Sequence, residues 1–137
     1  MARSAGGDDF GKLILRVALG VLILFHGVAK ILGGTAGIAG MVTKAGLPEY
    51  VAYGVYVGEI VAPLLVVLGF WTRPAAFVIV VNMVVAVWLV YMSDLVKLSP
   101  TGGWALELQG MYFVGALAVT FLGAGRFSVG GAGGRWN

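Results

Sequence analysis

The chain contains no cysteine and only one histidine among its 137 residues. The missing thiols exclude thiol–disulfide exchange, iron–sulfur ligation and thiolate metal sites. One imidazole beside scattered acids is too few for a metal-ligand set, and it cannot supply two axial imidazoles to a haem. We therefore predict no metal site and no intrinsic redox centre, so any redox group is diffusible or belongs to a partner.

Charge is also scarce in this sequence. Only 11% of the residues are charged, 60% are hydrophobic, and the mean hydropathy is +0.98. An ordinary soluble domain carries roughly 25% charged residues. The composition predicts an integral membrane protein whose main partner is the lipid bilayer, with no soluble catalytic domain and no nucleic-acid partner.

Four apolar runs follow one another along the chain, and each is long enough to cross a bilayer as a helix. Their approximate limits are 13–32, 51–70, 75–92 and 106–122. Long uninterrupted runs lack the alternation of membrane β-strands. We predict one all-α domain over residues 1–137, a transmembrane four-helix bundle of up-down-up-down topology. The glycine-rich segment 123–137 is predicted to be a flexible tail.

The basic residues indicate an orientation. With the N-terminus inside, six of them fall on the cytoplasmic side and three on the other side. The inner set is Arg3, Lys12, Arg16, Arg73, Arg126 and Arg135, and the outer set is Lys30, Lys44 and Lys97. We predict cytoplasmic termini in the cell inner (plasma) membrane. Arg16, Arg73 and Arg126 are expected to bind lipid phosphates at the cytoplasmic face, with no acid at a matching depth.

Glu59 lies near the middle of the second apolar run. A carboxylate at that depth costs several kcal/mol unless it is paired, protonated or facing a wet cavity. With about 1.5 Å rise per helical residue, His26 and Tyr112 come to a similar depth in their own spans. The sequence therefore predicts a polar pocket in the outer half of the bundle. The catalytic candidates are Glu59 and His26, and the ligand-binding candidates are Lys30, Tyr112, Asn82 and Gln109.

Each candidate also has a structural interpretation. Glu59 is then a clamp that fixes helix register, and Lys30 snorkels to the outer interface. The other polar side chains are then interhelical hydrogen-bond partners. A small-residue stripe, Gly54, Gly58 and Ala62, predicts close helix packing either inside one chain or at a homo-oligomer seam.

Several motifs, taken in order, resemble those of the DoxX family of small four-span membrane proteins. The likeness runs from Leu13 to Val129. It is carried by Arg16-Val-Ala-Leu-Gly20, His26-Gly27 and Lys30 in the first span, Gly58-Glu59 and Leu68-Gly69-Phe70-Trp71-Thr72-Arg73-Pro74 in the second span and its turn, Gly102-Gly103, and Gly123-Ala124-Gly125-Arg126-Phe127-Ser128. The family often has an acid shortly after this last motif, near Gly130 here, so the resemblance does not supply an ion pair there.

The resemblance implies several functions, because some relatives are linked to quinone-coupled sulfur oxidation, others to oxidative-stress complexes and others to membrane-protein assembly. One hypothesis is that the chain is the membrane subunit of a redox assembly, an accessory to a quinone-linked oxidoreductase. It would bind quinone or another small lipophilic ligand in the outer pocket, and a membrane or peripheral partner protein would deliver electrons. The alternative is a non-catalytic membrane scaffold or assembly factor. Transport is less favoured because one central acid gives little polar lining for a pore.

Overall fold

The computed structural model describes residues 5–137, and it is built almost entirely from helices. The helices are α1 (Ala5–Gly33), α2 (Ala36–Lys44), α3 (Glu49–Leu68), α4 (Thr72–Asp94) and α5 (Glu107–Leu122). Within residues 5–137 the β structure is limited to an isolated bridge between Leu98 and Trp104. The predicted all-α class is confirmed. Arg3, counted above among the inner basic residues, lies outside the described residues.

Three of these helices are long and apolar enough to cross a membrane, namely α1, α3 and α4. The fourth, α5, is apolar but shorter, at 16 residues. At about 1.5 Å per residue it spans roughly 24 Å, against a hydrocarbon core of about 30 Å. The structure thus has an apolar helix at each of the four predicted spans.

Helix packing brings the four apolar helices together. α1 packs against α3 and α5, and α4 packs against the same two helices. The shared core is made of buried aliphatic side chains, including Ile23, Val66, Ile79 and Val119. Within the small-residue stripe, Ala62 is 2% exposed, and a side chain at Gly58 would collide with Asn82 of α4. These two positions therefore serve packing within one chain.

The predicted loop between the first and second spans contains the short helix α2, which packs against the first turns of α3. Its apolar residues Ile38, Met41 and Val42 follow the i, i+3, i+4 spacing of one helix face. Val42 is 1% exposed. This spacing is the signal from which an amphipathic helix could have been predicted.

The link between α3 and α4 is tight, and two of its residues have left-handed backbones. Gly69 has φ 73° and Trp71 has φ 47°. Glycine adopts this conformation readily, whereas a tryptophan there is uncommon. The turn reverses the chain within three residues and leaves backbone groups at both helix ends without partners inside the helices.

Residues 123–137, predicted above to be a flexible tail, are hydrogen-bonded to one another and to the link between α3 and α4. The Val129 amide donates to the Leu68 carbonyl over 3.0 Å, and the Ala124 amide donates to the Asn137 carbonyl over 2.7 Å. The Asn137 side-chain oxygen accepts from the Thr72 hydroxyl at 2.7 Å. The physical reason is that helix ends at the turn need external partners, and the glycine-rich segment can bend to supply them.

Candidate functional site

Glu59 lies in a part of α3 where the helix widens. Residues Val57–Val61 form a π-helical turn, a feature frequent at functional sites. Pro63 follows and lacks the amide hydrogen that an α-helix would use to bond the carbonyl of residue 59. Gly27 of α1 packs directly on that carbonyl, so any larger residue at 27 would collide with it. The glycine lets α1 approach α3 closely at the level of Glu59.

The Glu59 carboxylate contacts groups from two other helices. Glu59 is 5% exposed, and its Oε2 forms an ion pair with Lys30 Nζ of α1. Its Oε1 accepts from Asn82 Nδ2 of α4 at 3.5 Å. The Lys30 side chain is 30% exposed, and its backbone carbonyl accepts from the Tyr56 hydroxyl at 3.2 Å. The acid is therefore paired, and the ammonium of Lys30 is directed at it.

His26 and Tyr112 form a second polar pair, between α1 and α5. The Tyr112 hydroxyl and His26 Nε2 are 3.5 Å apart. The two rings meet edge to face, with centroids 5.8 Å apart and planes at 80°. His26 is exposed and Tyr112 is half-buried, which leaves hydrogen-bonding capacity for a further group.

These side chains share one cavity, here called the polar cavity, with a volume of about 480 Å³. Its walls carry all six residues predicted for the outer layer, namely His26, Lys30, Glu59, Asn82, Gln109 and Tyr112. Most of the remaining wall is aliphatic, and α2 contributes Ile38, Met41 and Val42. The volume lies within the range of about 300–1,000 Å³ usual for small-molecule sites. The structure thus brings together an acid, a base, an imidazole and a phenol in a largely apolar cavity.

Arg16 lies apart from this cavity and does not face lipid as predicted. The residue is 1% exposed. Its guanidinium donates to the Val66 carbonyl at 3.1 Å and to the Ala124 carbonyl at 3.2 Å, and also to the carbonyls of Val67 and Phe127. The correction has a clear physical reason, because the end of α3 and the bent segment after α5 expose carbonyls that a five-donor guanidinium can bind.

The other two inner arginines also contact protein groups. Arg73 donates to the Phe121 carbonyl at 2.7 Å and the Thr120 carbonyl at 3.2 Å, which satisfies acceptors at the end of α5. Arg126 forms an ion pair with Asp9, with 3.3 Å between Nε and Oδ2. The expectation that no acid matches these arginines in depth is wrong for Arg126. Asp9 was missed because it precedes the apolar run, in a part of α1 that hydropathy does not identify.

No metal-binding arrangement is found in the described part of the chain. Among residues 5–137, no group of three or more histidine, cysteine, aspartate or glutamate side chains is positioned to hold a metal ion.

Comparison with known proteins gives two matches of sequence. A family model described as DoxX matches residues 11–92. A Haemophilus influenzae protein described as uncharacterized is 32% identical over 114 residues, which cover 81% of each of the two chains. No solved structure matches the chain.

Proposed function

The chain belongs to the DoxX family of multi-pass membrane proteins, and from this membership we propose that its polar cavity binds a small lipophilic molecule with a polar head, a quinone. In this proposal the four apolar helices form an up-down-up-down bundle in the cell inner membrane. Both chain ends are cytoplasmic and the polar cavity lies in the outer half. The protein acts as the membrane subunit of a redox assembly.

The observation that carries the proposal is the convergence of six polar side chains from four helices on one largely apolar cavity of about 480 Å³. A quinone head has two carbonyl acceptors on a flat apolar ring. Donors suited to these acceptors are available in the hydroxyl of Tyr112, the imidazole of His26 and the ammonium of Lys30. The donor set and the cavity size both fit such a head group.

Each side chain has a distinct task in this proposal. A bound quinone supplies an acceptor for two electrons and two protons, and a partner protein supplies the electrons. His26 and Tyr112 donate hydrogen bonds that orient the head group. Glu59 and Lys30, already paired, hold an exchangeable proton beside it. Asn82 keeps the Glu59 carboxylate in position.

The test is equilibrium binding of a short-chain quinone to the protein in lipid nanodiscs, comparing native protein with Glu59→Gln. The amide keeps the shape of the side chain and an acceptor for Lys30, so we expect thermal stability to be retained. We expect quinone affinity to fall about tenfold, which corresponds to about 1.4 kcal/mol, because an uncharged amide holds the Lys30 ammonium less firmly in its position as a donor to the quinone. Glu107→Gln is the matched control, because Glu107 is absent from the cavity wall, and it should bind as the native protein does.

One observation favours the alternative function of a non-catalytic scaffold or assembly factor. Glu59 contacts Lys30 of α1 and Asn82 of α4, so a single carboxylate links three helices as a clamp would. A clamp without a ligand site predicts that native protein binds no quinone in nanodiscs. That result would contradict the proposed function.

A further inference from the structure

A second cavity lies between α4 and α5 on the side away from α1, and we call it the seam groove. Its volume is about 560 Å³. The walls are almost wholly apolar, and include Val84, Trp88, Met92, Phe113 and Val114. Gln109 is the one side chain with an amide among them. A surface of this chemistry suits a hydrocarbon chain and offers almost nothing to a polar head group.

The outer end of the seam groove has a fixed roof formed by the loop before α5. The Trp104 indole donates to the Leu95 carbonyl at 2.8 Å. Its ring lies against Gly110, where a β-carbon would come within 2.9 Å of it. The loop itself is cross-linked by backbone hydrogen bonds, among them Ser99 amide to Gly103 carbonyl at 2.7 Å. The groove is therefore a built feature of the fold.

The seam groove and the polar cavity have two wall residues in common. Met83 and Gln109 line both cavities. Met83 is unbranched and readily adopts other rotamers, and Gln109 is only half-buried. These two adaptable side chains are therefore shared by the walls of both cavities.

We propose that the seam groove holds the isoprenoid chain of the same molecule whose head lies in the polar cavity. The chain passes between α4 and α5 at Met83 and Gln109, and the ligand enters sideways from the bilayer along this route. The inference rests on the proposed function and extends it, since it specifies a ligand with a long apolar chain. The polar cavity binds the head group of the ligand, and the apolar seam groove binds its isoprenoid chain.

The test uses two quinones with the same head, one with a single isoprene unit and one with a chain of two or more units. Affinities in nanodiscs are expressed as mole fractions in the lipid, which removes the effect of partitioning. Val114→Trp fills the seam groove from its open side, since Val114 is 57% exposed. Met111→Trp is the control on the same helix, because Met111 is 69% exposed and lines neither cavity.

We expect native protein and Met111→Trp to prefer the long-chain quinone by about fivefold, as packing differences between protein and lipid are modest. Val114→Trp should lose this preference and keep its affinity for the short-chain quinone. A long-chain quinone with a diazirine at the chain end should label Trp88, Met92 or Phe113 in native protein, as read by mass spectrometry.

The outcomes separate the two proposals. A preference that survives Val114→Trp, or labelling confined to other surfaces, overturns the chain site and leaves quinone binding in the polar cavity standing. Equal affinity of native protein for both quinones would also overturn the chain site and leave quinone binding in the polar cavity standing. Native protein that binds neither quinone overturns the proposed function and the chain site with it.

Discussion

The polar cavity and the Arg16 site place charged groups inside the same helical protein in opposite ways. At the Arg16 site a guanidinium is surrounded by four backbone carbonyls and is 1% exposed. At the polar cavity Lys30 and Glu59 form a direct ion pair, but the hydrogen bond from Asn82 and the contact between Tyr112 and His26 are both long, at 3.5 Å. Cavity space adjoins these groups.

The difference distinguishes charged side chains that stabilise the fold from charged side chains that can bind a ligand. A buried guanidinium whose three nitrogens all donate to backbone carbonyls has little capacity left for a ligand, and its removal leaves those acceptors without a donor. Groups with long contacts and adjoining space can accept a new partner at little cost. We therefore expect mutations at the Arg16 site to change stability and mutations at the polar cavity to change binding.

The largest effect is expected for Arg16→Met, which would test the structural half of this comparison. The substitution keeps an unbranched side chain but leaves the buried carbonyls of Val66, Val67, Ala124 and Phe127 without their donor. We expect the free energy of unfolding to fall by at least about 3 kcal/mol, measured by detergent-driven unfolding. Arg16→Lys should recover part of this loss, because one ammonium cannot reach all four acceptors. Unchanged unfolding of Arg16→Met would remove the distinction drawn here.

A smaller effect is expected for Gly27→Ala, which should change both stability and binding. The added methyl group would collide with the Glu59 carbonyl and force α1 away from α3. We expect a loss of about 1–3 kcal/mol in unfolding free energy together with weaker quinone binding, because Lys30 and His26 move with α1. Gly11→Ala in the same helix has open space around it. This control should gain up to about 1 kcal/mol from helix propensity and bind normally.

The smallest effect is expected for Asp9→Asn in the first turns of α1. The pair with Arg126 is exposed on one side, with 56% of the Arg126 side chain and 16% of the Asp9 side chain accessible. Exposed pairs contribute about 0–1 kcal/mol and are screened by salt. We expect a loss of unfolding free energy within that range that disappears at high ionic strength, with quinone affinity unchanged. A loss comparable to that of Arg16→Met would show that the Asp9–Arg126 ion pair stabilises this end of the bundle as much as the hydrogen bonds from Arg16 to backbone carbonyls do.

Hydropathy predicted the four apolar helices well, because burial in lipid requires long apolar runs whatever the packing. The fourth run, 106–122, matches the helix Glu107–Leu122 almost residue for residue. The first helix begins earlier than the predicted 13, at Ala5, because its first turns carry Gly6, Asp8 and Asp9, which lower the local hydropathy. The short helix α2 was missed for a similar reason, since glycines interrupt its nine residues.

Depth counting grouped the residues of the polar cavity because helical rise turns sequence position into height. It could not give the rotation of one helix about its axis relative to the next, so the pairing of Lys30 with Glu59 was not predicted. Position along the helix axis also does not predict the backbone carbonyls that accept hydrogen bonds from Arg16. They depend on a turn at Gly69 and on the bend after α5, and neither leaves a signal in hydropathy.

The four backbone carbonyls that accept hydrogen bonds from Arg16 have a consequence for the order of membrane insertion. One of these acceptors, Phe127, lies 111 residues further along the chain. During synthesis α1 therefore enters the membrane with a cation whose final neighbours do not yet exist. Two of the four carbonyl acceptors, those of Ala124 and Phe127, follow the last helix. The first helix therefore reaches its final packing only after the last helix has been inserted.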